Sequence, residues 1–167
     1  MQPMTLIFDL DGTLVDTAPD LAGAMNAVLA AHGRPEVPLH EVRHMVGRGA
    51  RKLIERGFET TGAPADPEAL DGHVAAFIAH YAAHIADRSV PFPGARDELA
   101  RLRAEGHTLG VCTNKPESLT HLLLERLGLS PHFSAILGAD SLPVRKPDPR
   151  HLMETIGRAG GDAKRAV

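Results

Sequence analysis

The pattern of apolar and polar residues separates the chain into an apolar strand, a helical stretch and a region of alternating helices and strands. Leu6, Ile7 and Phe8 form a short apolar run, which is typical of a strand buried on both faces. From residue 16 to about residue 92, apolar residues recur at the spacing of amphipathic helices. We predict helices there from Ala18 to Gly33 with Thr17 and Asp20 as an approximate capping box, from Leu39 to Val46, from Ala50 to Phe58 and from Asp66 to Ile85.

A proline-rich link, Val90 to Ala95, marks the change to alternating elements. Strands separated by single helices predict a parallel sheet with right-handed crossovers, so the expected fold class is α/β. The domain boundaries that follow are a core of residues 1–15 and 93–167, with an all-helical insert of residues 16–92. The predicted elements of the core are a helix Ala95–Glu105, a strand His107–Thr113, a helix Pro116–Leu127, a strand Ala135–Gly138 and a helix that Asp148 caps and Pro149 begins, reaching Ala159.

Composition narrows the classes of protein that the chain can represent. With 43% hydrophobic and 23% charged residues, it has the content of a globular protein. A net charge of −3 without a basic tract argues against binding nucleic acid. No leader or run of about 18 apolar residues indicates a membrane segment, and we expect a cytoplasmic protein. Cys112 lies within the apolar run LGVCT, so we predict a buried core residue rather than a nucleophile.

Two carboxylates, Asp9 and Asp11, stand where the first predicted strand ends, and Gly12 lets the chain turn beyond them. Open α/β sheets bind ligands at the carboxyl ends of their strands. A carboxylate there can attack a phosphorus centre, and a second one can handle the proton of the leaving group. The alternative is that Asp9, Asp11 and Asp16 only shape a turn, because Asp and Gly are common turn residues.

Polar residues at two later positions are weak signals when each is taken alone. Thr113 and Asn114 end the strand that precedes CTNK, where a hydroxyl and backbone N–H groups can hold phosphate oxygens. Lys146 stands in RKPDP, just before a helix whose start is set by prolines. An ammonium there can balance neighbouring carboxylates and a phosphate dianion.

In combination these residues resemble the motifs of a known family. DLDGTLVDT, then Thr113, then Lys146 resemble, in order, the first three motifs of the haloacid dehalogenase-like hydrolase superfamily. VGRGARKL and GADSLPVRKPDP are similar to segments of its phosphoglycolate phosphatases. An Asp at position 11 also resembles the phosphatases and phosphomutases rather than the haloacid dehalogenases. The resemblance implies a Rossmann-like parallel sheet, with the helical insert as a cap domain.

The resemblance also implies roles for single residues. Asp9 is expected to be the nucleophile and Asp11 the general acid and base, while Thr113, Asn114 and Lys146 bind phosphate. Mg²⁺ is expected on the Asp9 carboxylate and the Asp11 backbone carbonyl. The implied substrate is a small-molecule phosphate ester, with 2-phosphoglycolate as the leading candidate, and the implied state is a monomer or homodimer.

The helical insert contributes a further expectation about specificity. Gly47, Arg48 and Gly49 form a flexible corner, and one hypothesis is that it contacts the leaving group. The alternative, which is the default for Arg48, is an exposed face of the cap that does not touch the substrate. His80 and His84 share a helix face, but no Glu lies between them as in zinc hydrolases, so we expect solvated or capping histidines.

Two other functions remain open at this stage. A sugar-phosphate mutase would share the nucleophile and the acid/base residue. A non-catalytic regulatory remnant is the other alternative, because the fourth acidic motif of the superfamily should follow a strand that begins near Arg165. The chain ends at Val167, and we therefore expect a C-terminally truncated core.

Overall fold

A computed structural model describes residues 2–167 of the chain. The chain divides into two compact units, one made of the residues up to Asp16 together with Val90–Val167, the other of Thr17–Ser89. The strands are β1 (Thr5–Phe8), β2 (Val15–Asp16), β3 (Val90–Pro91), β4 (Thr108–Cys112) and β5 (Ala135–Leu137). The helices are α1 (Ala18–Ala31), α2 (Leu39–Arg43), α3 (Ala50–Thr60), α4 (Leu70–Ala83), α5 (Ala95–Ala104), α6 (Glu117–Arg126) and α7 (Pro149–Arg158).

The first unit is built on a parallel sheet with the strand order β1-β4-β5. Its register places Phe8 beside Val111 and Cys112 beside Leu137, so the three strands end at the same edge. Helices connect the strands, as the alternating pattern predicts. The predicted α/β fold with a Rossmann-like parallel sheet is therefore confirmed.

The other edge of β1 is also paired, through the last residues of the chain. Ala166 forms a parallel bridge with Thr5. The Ile7 N–H donates to the Val167 carbonyl at 2.8 Å, and the Val167 N–H donates to the Thr5 carbonyl at 2.9 Å. β1 thus has a neighbour on each side over this stretch.

The core of the sheet is formed by strand β4 and the helices that pack against it. Leu109 and Val111 of β4 are fully buried, and Cys112 is 3% exposed, which confirms its prediction as a core residue. Gly110 permits close packing, because a Cβ there would lie 2.8 Å from Ile7 Cδ1. Within residues 2–167, no helix is both long enough and apolar enough to cross a bilayer.

A short antiparallel pair, β2 with β3, has no counterpart among the predicted elements. Val15 lies opposite Pro91 and Asp16 opposite Val90. Each strand has only two residues, which is too short for apolar alternation to appear in the sequence. Because the partners are far apart in the chain, local patterns contain no information about their pairing.

The helical unit differs from the prediction mainly at the ends of its helices. Helix α2 stops at Arg43 rather than Val46, and α3 continues to Thr60 rather than stopping at Phe58. The long helix begins at Leu70 instead of Asp66. Asp66 closes a turn before that helix, because its Oδ1 accepts from the Glu68 N–H at 3.0 Å.

The predicted capping box at the start of α1 is wrong. The Thr17 side chain makes no capping hydrogen bond to the helix. Asp20 is 3% exposed and instead accepts from the Arg88 N–H at 3.0 Å, the Ser89 N–H at 2.7 Å and the Ser89 hydroxyl at 2.7 Å. Asp20 therefore joins the beginning of the helical unit to its end.

Candidate active site

The residues that follow β1, β4 and β5 lie at the edge where these three strands end. Asp9 directly follows β1, Thr113 follows β4 and Gly138 follows β5. The Thr113 N–H donates to the Leu137 carbonyl at 3.1 Å, which continues the β4–β5 pairing by one step. This is the edge at which parallel α/β sheets bind ligands.

Asp9 and Lys146, which are far apart in the sequence, meet in an ion pair at this edge. Lys146 Nζ lies 2.9 Å from Asp9 Oδ2, and the two side chains are 27% and 35% exposed. The other carboxylate oxygen, Oδ1, accepts from the Leu10 N–H at 2.8 Å. The carboxylate therefore has a fixed orientation and remains open to solvent on one side.

Asp11 forms a second ion pair with Lys115, a residue that the sequence analysis did not select. Lys115 Nζ lies 3.0 Å from Asp11 Oδ1 and 3.3 Å from Oδ2. Only 3% of the Lys115 side chain and 10% of the Asp11 side chain are exposed. The position of Lys115 in CTNK, directly after the end of a strand, could have indicated that it belongs to the site. Thr113 and Asn114, the two residues before it, were selected for that reason.

Thr113 and Asn114 lie in the same turn as Lys115. Thr113 is 1% exposed, and its Oγ1 accepts from the Lys115 N–H at 3.2 Å. Asn114, which stands between Thr113 and Lys115 in the sequence, is half-buried. The structure thus places two of the three predicted phosphate-binding residues directly after β4, in the turn that also supplies the cation beside Asp11.

The loop after β5 is joined to the loop after β4 by contacts that the sequence analysis missed. Asp140 Oδ1 accepts from the N–H of Glu117, the first residue of α6, at 2.7 Å. The Gly138 N–H donates to the Ser141 hydroxyl at 2.7 Å. A Cβ at Gly138 would lie 2.3 Å from the Glu117 nitrogen, so only glycine fits where the two loops touch.

Helix α7, which follows Lys146, begins as the sequence predicts. Pro149 is its first residue, and the Asp148 carboxylate accepts from the Arg150 N–H at 3.0 Å. The Arg150 guanidinium and then its N–H, both bonded to this carboxylate, lower the pKa of Asp148 to about 2. The Asp148 N–H donates to the Arg145 carbonyl at 2.9 Å, closing the turn that contains Lys146.

The donor atoms near Asp9 are of the type that Mg²⁺ prefers. The Asp9 carboxylate, whose side chain is one-third exposed, and the Asp11 backbone carbonyl would both offer hard oxygen atoms to a metal ion. Within residues 2–167, no group of three or more His, Cys, Asp or Glu side chains converges on one point. A Mg²⁺ ion fits such a set, because it usually retains several waters and adds substrate phosphate oxygens.

The predicted specificity segment lies in the helical unit, just before α3. Gly47 has φ of +99° and Gly49 has φ of +89°, conformations that favour glycine. Arg48 between them is exposed. His84 ends α4 as its capping residue, and its Nδ1 lies 2.7 Å from Asp87 Oδ2.

Known proteins that are similar to this chain include phosphoglycolate phosphatases. A phosphoglycolate phosphatase from Caulobacter vibrioides is 53% identical over 163 residues, which cover 98% of this chain and 69% of that protein. One from Mesorhizobium japonicum is 46% identical and covers 97% and 71%, respectively. The crystal structure of a predicted phosphoglycolate phosphatase from Haemophilus somnus 129PT superposes with a TM-score of 0.88 at 28% identity, covering 99% of this chain and 76% of that one.

The family comparison extends over nearly the whole chain. The profile described as haloacid dehalogenase-like hydrolase matches residues 3–167. The matched region contains both ion pairs and all three strands that end at the site. The chain therefore belongs to the haloacid dehalogenase-like hydrolase family and is, as predicted, a hydrolase.

Proposed function

We propose that the protein is a Mg²⁺-dependent phosphomonoesterase that acts through an aspartyl phosphate on Asp9, with 2-phosphoglycolate as its substrate. The observation that supports this most directly is the pair of ion pairs, Asp9–Lys146 and Asp11–Lys115, at the ends of parallel strands. The phosphoglycolate phosphatases from Caulobacter vibrioides and Mesorhizobium japonicum support the choice of substrate.

Asp9 is suited to the role of nucleophile. Its Oδ1 is held by the Leu10 N–H, and Lys146 lies at Oδ2. The same ammonium can attract a phosphate dianion and balance its charge next to the carboxylate, which is the main requirement of phosphoryl transfer. Attack on phosphorus forms an O–P bond to Asp9 and releases the alkoxide of the substrate.

Asp11 then serves both half-reactions as acid and base. Its carboxyl group protonates the departing alkoxide, and its carboxylate afterwards removes a proton from the water that hydrolyses the aspartyl phosphate. Lys115 lies 3.0 Å from this carboxylate and fixes its position. Thr113 and Asn114 supply polar groups for the phosphate oxygens in the adjacent turn.

The Asp9 carboxylate and the Asp11 backbone carbonyl would hold Mg²⁺, with the remaining positions taken by phosphate and water. When bound, the ion neutralises negative charge on the phosphate and the nucleophile. The residues of the chain retain the tasks of attack, proton transfer and orientation.

We assign the helical unit Thr17–Ser89 the role of a cap that selects the substrate. Support comes from the two glycines with positive φ around an exposed Arg48, which leave the backbone accessible and offer a cation to a substrate carboxylate. Phosphoglycolate carries such a carboxylate in addition to its phosphate.

The test is phosphate release with Mg²⁺ from 2-phosphoglycolate, hexose phosphates and nucleotides. We expect turnover with 2-phosphoglycolate at a higher kcat/KM than with the other esters. Conversion of a hexose phosphate into its isomer without release of phosphate would identify a mutase instead. Absence of both activities, in protein shown to be folded and supplied with Mg²⁺, would contradict a catalytic function.

A further inference from the structure

A buried histidine, His151, connects the segments that end at the candidate site, although it has no part in the proposed chemistry. It belongs to the first turn of α7 and is fully buried. Its Nδ1 lies 3.1 Å from Cys112 Sγ, at the end of β4. Its Nε2 lies 2.9 Å from the carbonyl oxygen of Gly138, directly after β5. One imidazole ring therefore joins two strand ends to a helix.

The partners determine which ring nitrogen carries the proton. A carbonyl oxygen only accepts hydrogen bonds, so Nε2 of His151 must donate to Gly138. Burial is the main influence on Cys112 and raises the pKa of its thiol. A thiol that keeps its proton can donate to Nδ1, the ring nitrogen that faces it. Cys112, His151 and Gly138 thus form a continuous contact chain.

Each end of this chain is next to a residue of the candidate site. Cys112 directly precedes Thr113, whose Oγ1 holds the turn that contains Lys115. Gly138 opens the loop that leads to Lys146, and His151 lies in the helix that follows this lysine. The carbonyl of Lys115 also accepts from the Ala139 N–H at 2.8 Å, so the two loops are joined a second time beside Gly138.

The geometry points to His151 as a positioning residue, which holds the turn of Thr113 and the loop of Lys146 in register through Cys112 and Gly138. This inference rests on the proposed function, since it assigns those two segments to phosphate binding. It adds a residue that touches neither phosphate nor the carboxylates. Its loss should loosen the two loops and weaken phosphate binding without removing a ligand of the phosphate.

The test combines a variant with a matched control. In His151→Gln the side-chain amide can place its N–H at the position of Nε2 beside Gly138, and its oxygen then does not occupy the position of Nδ1 beside Cys112. His107→Gln is the control, because His107 is also buried, at 3% exposure, and lies at the opposite end of β4. Its Nδ1 accepts from the Met4 N–H at 3.0 Å, so the control also replaces a hydrogen-bonded ring with the same amide.

Cys112 is the single cysteine of the chain, and its reaction with a thiol reagent therefore reports opening at His151 directly. We expect His151→Gln to raise the labelling rate of the Cys112 thiol at least about tenfold. This rate should depend little on urea, because the opening is local. The dissociation constant of inorganic phosphate, measured by calorimetry with Mg²⁺, should rise about tenfold, the effect of one lost hydrogen bond. His107→Gln should change neither quantity at matched global stability.

Unchanged local labelling and phosphate affinity in His151→Gln, or equal changes in both variants, would overturn the inference. If the wild-type chain bound no phosphate, the proposed function would fail. Amide hydrogen exchange would then test whether His151 positions the two loops. Faster exchange at residues 113–115 and 138–148 in His151→Gln alone would support that role. Equal exchange in the two variants would contradict it.

Discussion

Lys115 Nζ lies 3.0 Å from Asp11 Oδ1, and both side chains are almost fully buried at the end of the parallel sheet. This pair brings a cation to the second carboxylate of DLDG, as Lys146 does to the first. The site therefore contains two carboxylates, each with its own ammonium group. Such matching allows negative groups to remain close together where a phosphate dianion is to bind.

Lys115→Met should destabilise the protein on the order of 3 kcal/mol, because it leaves the buried carboxylate without its closest cation. Urea unfolding of Lys115→Met, Asp11→Asn and the double variant measures the coupling. We expect the double variant to be more stable than Lys115→Met alone, since the neutral amide needs no cation. Additive effects would show that the two side chains do not depend on each other.

Asp9→Asn should abolish turnover, because an amide cannot attack phosphorus. Asp11→Asn should slow turnover by about 10²–10⁴-fold, the usual contribution of general acid/base catalysis, and should allow phosphoenzyme to accumulate. Phosphate release and mass spectrometry of the quenched protein measure these two effects. Activity close to wild type in Asp9→Asn would refute the assignment of the nucleophile.

Arg48→Ala should change the ranking of substrates if the Gly47–Gly49 segment contacts the leaving group. We expect kcat/KM for 2-phosphoglycolate to fall more than that for p-nitrophenyl phosphate, which has no carboxylate to bind the guanidinium. Arg51→Ala is the control, because Arg51 is also exposed and pairs with Asp71. Equal losses for both esters would indicate a structural role for Arg48.

Asp20→Ala should lower the free energy of unfolding by about 3 kcal/mol, because it leaves the buried donors of Ser89 and the partly buried N–H of Arg88 unpaired. Asp71→Ala is the matched control: its side chain is 81% exposed, and we expect a change below about 0.5 kcal/mol. Urea unfolding followed by circular dichroism measures both. Similar losses in the two variants would mean that the buried hydrogen bonds contribute little.

Asp148, the N-cap residue of helix α7, should make a pH-dependent contribution to the stability of the protein. The pKa of Asp148 is lowered to about 2 in the folded protein by its hydrogen bonds to Arg150, whereas its ordinary value is 3.8. A lowered folded-state pKa gives stabilisation that is complete above the unfolded pKa and is lost as the pH falls through the folded one. The stability difference between wild type and Asp148→Asn should stay constant from pH 7 to about 4 and disappear near pH 2.

Arg150→Gln provides the control for that titration, because it retains the carboxylate and removes the neighbouring cation. In this variant we expect the stabilisation by Asp148 to be lost over a narrower pH interval than the interval from about pH 4 to pH 2 in the wild type. Urea midpoints measured across the pH range give the comparison. An unchanged pH interval would show that Arg150 is not the cause of the lowered pKa of Asp148.

The local sequence was sufficient to predict the elements that build the sheet and the residues that end its strands. The apolar run Leu6–Phe8 and the alternating helices beyond Val90 specify a parallel sheet, because strand burial and helix periodicity are local properties. Parallel strands end at one edge, so a polar residue after each of them is brought to the same place. That is why Asp9 and Thr113 could be expected at one edge of the sheet and Cys112 in its core. The place of Lys146 at that edge was implied only by the resemblance to the family's motifs.

Contacts that depend on the paths of loops could be seen only in the tertiary structure. The pairing of Lys115 with Asp11, the burial of Asp20 against Ser89 and the contacts of His151 join residues far apart in the chain. Each of these side chains has an ordinary local interpretation, as a solvated lysine, a capping aspartate or a helix residue. Strand register and the close approach at Gly138 decide which distant partner each one finds, and no local periodicity contains that information.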